Sequence, residues 1–143
     1  MSEPATISTL LDAVACEAIG ATLDLLAEGS EVHPTAYFAV HGENDAEPQV
    51  EQAEFSDDTP DLCLEAARNH VRGLKGKADV YAIAYDGFVQ ESEDEPAQDA
   101  VIVEFGERGA AAAYSALVLY AFEKDGTLSY SDPQPAGEEQ LLL

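Results

Sequence analysis

"GAAAAYSALVLYAF", residues 109–122, can be read two ways, and the fold class turns on which reading wins. Its alanines favour helix, and Tyr114, Leu117, Val118 and Ala121 recur at helical spacing. Against that, Val, Leu, Tyr and Phe crowd residues 114–123. The "KDGT" that follows supplies Asp125-Gly126, a dipeptide suited to a tight hairpin turn. The turn decides for a strand over 114–123, folding back into a short strand "TLSYS". Apolar side chains on both faces of 117–122 place that strand inside a sheet.

Working back along the chain, "DVYAIAYDGFV" (79–89) and "DAVIVEFGER" (99–108) read as two more strands. The acidic "ESEDEPAQD" joins them. Glu91, Glu93 and Glu95 alternate like the first ligands of a calcium loop, but Pro96 stands at the sixth position and Ile102 at the twelfth. A calcium loop needs a glycine and a bidentate glutamate there. The stretch therefore reads as a charged, solvated hairpin connection.

Further upstream, residues 60–74 show a helical stripe of Leu62, Cys63, Ala66, Ala67, His70, Val71 and Leu74. Thr59 is its N-cap, Pro60 occupies the first helical position and Asp61 complements the dipole. "TAYFAVHG" (35–42) and the more polar "QVEQAEF" (49–55) are strands on either side of an "ENDAEP" turn, the second suited to a sheet edge. Residues 6–28 form a first helix, stopped by Gly29 and Pro34. Ile7, Leu10, Leu11, Val14, Ala18, Ala21 and Leu25 lie on one face, and Cys16, Ile19, Leu23 and Leu26 on another. A helix this apolar all round is expected to be sandwiched in the fold or to bury Cys16, Ile19, Leu23 and Leu26 against another subunit.

The order is α-β-β-α-β-β-β. It predicts an α+β fold, a mostly antiparallel sheet of about five strands with two helices on one face or one on each. One domain spans residues 1–132, followed by a tail at 133–143. The tail is loose over Pro133 to Glu139, and its terminal Leu141, Leu142 and Leu143 are apolar enough to dock back. The element order resembles that of profilin-like or roadblock-type domains, which pack two helices on an antiparallel sheet. The resemblance covers order alone, and no residue carries over from it.

Six Lys and Arg against 29 Asp and Glu give a net charge of −23 in 143 residues, while 46% hydrophobic content provides for a packed core. This field repels other polyanions, so nucleic-acid binding and anionic membrane surfaces are not expected. The acidity suits a high-salt setting where self-repulsion is screened, and it also suits a basic protein partner or plain solubility. The two cysteines, Cys16 and Cys63, make no disulfide framework and point to a reducing cytoplasm. "MSEPATISTLL" lacks the basic start of a signal peptide, and no apolar run reaches the roughly 18 residues of a membrane span.

No catalytic signature emerges. His33, His41 and His70 have no zinc spacing. His70 reads as an inert boundary residue, and His41 as the most accessible candidate for chemistry. Cys63 reads as a small buried residue, although the helix start would favour its thiolate. "GERG" (106–109) has the outline of a nucleic-acid clamp but sits between strands of an acidic chain, so no metal, cofactor or nucleic-acid site is expected. Arg68, Arg72, Lys75 and Lys77 are four of the six basic residues. Arg68, Arg72 and Lys75 form one stripe, either paired with carboxylates such as Glu65 or offered as an anion or partner patch. The expected function is non-enzymatic association of a small cytoplasmic domain, as a homodimer. The alternative is a small-molecule pocket between the first helix and the sheet, with Tyr81, Tyr85, Tyr114, Tyr120 and His41 as its polar groups. A third reading is an acidic decoy for a basic protein.

Overall fold

The computed structural model describes residues 8–40, 49–90 and 92–143. Ile7, His41, the turn at 43–48 and Glu91 lie outside them. The elements are α1 (Thr9–Ala27), β1 (Thr35–Val40), β2 (Gln49–Glu54), α2 (Pro60–Arg72), β3 (Ala78–Val89), β4 (Gln98–Glu107), β5 (Ala113–Phe122), β6 (Leu128–Tyr130) and β7 (Gln134–Glu139). The ambiguous stretch is thus a strand. Its turn is the expected one: Gly126 has φ +88° and its N–H donates to the Glu123 carbonyl at 2.9 Å.

The seven strands form one antiparallel sheet in the order β2-β1-β3-β4-β5. β6 and β7 share the far side of β5, β6 beside Tyr120–Phe122 and β7 beside Ala113–Leu117. The fold is α+β with the expected order and two helices, and has more strands than the five or so expected. Polar β2 forms one edge, where its charges discourage further strand addition.

Each helix covers one face. Alternation along β3 sends Val80, Ala82 and Ala84 towards α1, and Tyr81 and Ile83 towards α2. α1 begins at Ser8, whose side chain accepts the Leu11 N–H at 3.1 Å, and ends at Gly29, φ +77°. Its buried arc runs through Leu11, Val14, Ala15, Ala18, Ile19, Thr22, Leu23 and Leu26. Ile19, Leu23 and Leu26 are therefore buried within one chain, and Cys16 alone of the four expected interface residues is exposed. The core side of the helix falls between the two apolar sets read from the sequence, because the broad sheet beneath it accepts a wide arc.

α2 starts as expected, with Thr59 Oγ1 accepting the Leu62 N–H at 3.2 Å. It buries only Cys63, Ala67 and Val71, while Leu62 is half exposed. The segment expected to be loose, Pro133 to Glu139, instead contains β7, and Leu142 and Leu143 are buried against the α2 face. The residues after 132 therefore contribute a strand and two buried leucines to the packed fold. Proline is tolerated there because β7 is an outer strand. Gly106 lets the tail in: a Cβ there would lie 2.8 Å from Leu141 Cδ1 and 2.9 Å from Tyr81 Cε1.

Candidate functional site

Helix α2 packs on β1 and β3. Beyond Ile83 no helix among the described residues covers the same sheet face. There β3 contributes Tyr85, Gly87 and Val89, and β4 contributes Gln98, Ala100 and Ile102, in register pairs Tyr85↔Ile102 and Gly87↔Ala100. β5 adds Leu117 opposite Ile102 and Leu119 opposite Ala100. Val89, Ile102, Leu117 and Leu119 are part-exposed and belong to neither core cluster. The same face continues through Ser115 and Ala121 of β5 and Ser129 of β6. At the border of this patch lie Glu104, which Arg68 neutralises, and the exposed Glu139 of β7.

The pair of Arg68 and Glu104 is the centre of a part-buried polar cluster. Glu104 is 5% exposed. Arg68 reaches it bidentately, Nε donating to Oε1 at 3.0 Å and Nη2 to Oε2 at 2.5 Å. Tyr85 Oη donates to Oε2 at 2.8 Å. The guanidinium is held more firmly protonated by its hydrogen bonds to Glu104, against the opposing effect of burial. The cluster ties α2 to β4 and borders a small cavity of about 170 Å³ that Arg72, Glu139, Gln140 and Leu142 also line. With both carboxylate oxygens engaged by Arg68 and Tyr85, the cluster acts as an anchor between α2 and the sheet.

The expected basic stripe is divided among three settings. Arg68 is committed to Glu104, and Arg72 Nη1 donates to Asn69 Oδ1 at 2.6 Å and to Glu65 at 3.1 Å. Lys75 lies beyond the end of α2 and is exposed. Glu65, expected beside Arg68, serves Arg72. His70 is exposed on α2 with its ring 5.5 Å from Phe38 and 5.3 Å from Phe55, and His33 is 3.8 Å from Glu31. Cys63 is buried and its sulfur accepts the Asp57 N–H at 2.9 Å. Partial burial and the Asp12 carboxylate raise the Cys16 thiol, which disfavours its thiolate.

The tyrosines proposed for a pocket do not converge. Tyr81 and Tyr85 project to the α2 side, whereas Tyr114 packs 6.4 Å from Phe105 on the α1 side. Tyr120 is also on the α1 side, donating to Asp86 Oδ1 at 2.5 Å. On that side α1 overlies β1, β3 and β4, leaving a groove along its flank above β5 and β6. Cys16, Ile19, Gly20 and Leu23 form one wall, facing Val118 and Tyr130.

Burial pushes the Tyr81 hydroxyl up to about 12, the Leu142 N–H offsetting only part of this. Burial, followed by the Glu104 charge, raises Tyr85 further, and burial with the Asp86 hydrogen bond raises Tyr120. The fold thus favours neutral phenols that an unfolded chain would ionise near pH 10. Their stabilisation is complete below pH 10 and is lost as pH rises towards 12 and beyond. Alkaline titration is expected to show a cooperative loss of circular dichroism above about pH 10, with tyrosinate absorbance rising in the same step. Ionisation of these phenols in a chain that stays folded would contradict this.

No protein-family model matches the chain, and no curated protein or solved structure matches it.

Proposed function

We propose that this chain is a non-enzymatic association domain of a reducing, cytoplasmic setting, and that two copies pair through the open sheet face of β3, β4 and β5. One observation carries the reading. In a chain with 29 acidic residues and a net charge of −23, the patch of Tyr85, Gly87, Ala100, Ile102, Leu117 and Leu119 carries no charged side chain; at its border Glu104 is neutralised by Arg68, and the exposed Glu139 stands outside it on β7. Random placement of so many carboxylates would leave some there. A basic partner would be best served by acids on the contact face, whereas a second copy of the same acidic chain needs them kept off it. Tyr85, Ile102, Leu117 and Leu119 supply apolar contact suited to packing against the same residues of a second copy.

The face is three strands wide and about five residues long, on the order of 10 by 14 Å. At about 140 Å² it is well below the roughly 800 Å² per partner of a standard interface, so flanking contacts must contribute most of the buried area and pairing is expected to be weak and exchanging. Two molecules of charge −23 also repel, and the Debye length falls from about 10 Å at 0.1 M salt to about 3 Å at 1 M. Pairing should therefore strengthen as salt rises. Sedimentation velocity over a concentration series at both ionic strengths tests this, with dimer expected to grow at the higher salt. A monomer at roughly millimolar protein in 1 M salt would sink the proposal.

A further inference from the structure

The groove beside α1 is a separate surface on the opposite side of the sheet, and we propose that it takes a short peptide segment, apolar in the middle and basic at both ends. Its two halves, of about 260 and 370 Å³, share Gly20, Leu23 and Tyr130 in their linings and so adjoin along the flank of α1. One half ends at Cys16 and Asp132, and the other at Asp24, Ala27 and the Gly126 turn. Between those ends lie Ile19, Leu23, Val118, Leu128 and the ring of Tyr130, which is 62% exposed.

Gly20 supports a role for the groove. It sits in the middle of α1, where glycine is the least suitable residue after proline. Among the described residues nothing crowds it, since a Cβ at that position would meet no atom within 4 Å. Its effect is to leave helix backbone bare on the groove wall, where an occupant can approach closely. The ends choose the occupant's charge. Asp24 and Asp132 stand at opposite ends, and no Lys or Arg lines either half. From Cys16 to Ala27 the helix rises about 16 Å, the span of roughly five extended residues.

The probe is a fluorescent peptide with two lysines at each end of a Leu-Phe-Leu-containing centre, and the control has glutamates in place of the lysines. Fluorescence anisotropy against the full chain should show binding of the lysine peptide that weakens as salt rises, the opposite dependence to self-pairing. Gly20→Leu should cut affinity at least tenfold by filling the wall, and Tyr130→Ala should do the same from the other side. Gly20→Ala should meanwhile raise the thermal midpoint by roughly 2–5 °C, since the site is helical and open. A wild-type chain that ignores the lysine peptide, equal binding of the glutamate control, or full affinity in folded Gly20→Leu would each overturn the proposal. None of these outcomes bears on pairing through the other face, which sedimentation of the same variants reads independently.

Discussion

Arg68→Ala is expected to destabilise the chain by about 2–4 kcal/mol near neutral pH, the largest loss of any single polar substitution proposed for it. Removing the guanidinium strands Glu104, whose side chain is 7% exposed, with only the Tyr85 hydroxyl as a charged-form partner. Breaking a fully buried pair costs about 3–5 kcal/mol, and the lower range applies here because Arg68 itself is 30% exposed and water can reach the vacated space. Against a typical total of about 5–15 kcal/mol, this is a large fraction. The loss belongs mainly to α2, which buries only Cys63, Ala67 and Val71 and is otherwise weakly attached.

The pair's role as an anchor is distinct from its net contribution to stability. Replacing both partners, Arg68→Leu with Glu104→Leu, leaves no stranded charge and should recover most of the loss. Urea denaturation, with midpoints compared at unchanged slope, reads both variants. A single Arg68→Ala within about 0.5 kcal/mol of the wild type would show that the pair is no anchor.

What the sequence revealed and concealed follows the range of the interactions. The strand at 113–122 was legible because Asp125 and Gly126 are adjacent to it and specify the turn locally. The start of α2 was legible for the same reason, Thr59 and Pro60 being local signals. β7 was not, because "QPAGEE" has neither alternation nor β-formers, and its pairing is imposed by β5 across a register shift between Ser115 and Ala116. The Arg68 partner was not legible either. Glu65 offered a contact three residues away, while Glu104 lies 36 residues on and is reached only once α2 rests on the sheet. The apolar character of Ile102, Leu117 and Leu119 was plain, but its exposure depends on how far α2 extends over the face. Likewise α1 was correctly over-apolar, yet the sheet rather than a second subunit buries Ile19, Leu23 and Leu26.

Leu117→Asp and Leu117→Lys are both expected to leave the chain monomeric at the protein concentration where the wild type is dimeric in 1 M salt. Leu117 lies within the open face, opposite Ile102, and is part-exposed in the single chain, so either substitution leaves both cores intact. The pair of variants separates two explanations that one variant would confound. Asp takes the net charge from −23 to −24 and adds repulsion, so its effect alone could reflect the global field. Lys takes it from −23 to −22 and relieves repulsion, yet it still places a strongly hydrated ammonium where contact needs dry aliphatic surface. If long-range charge governed association, Lys would strengthen the dimer. If the neutral face is the interface, both variants fail, and raising the salt does not rescue either, because screening cannot offset desolvation of a charge at the centre of the contact. Sedimentation in 1 M salt makes the comparison, and a Leu117→Lys chain that dimerises like the wild type would remove this face from consideration.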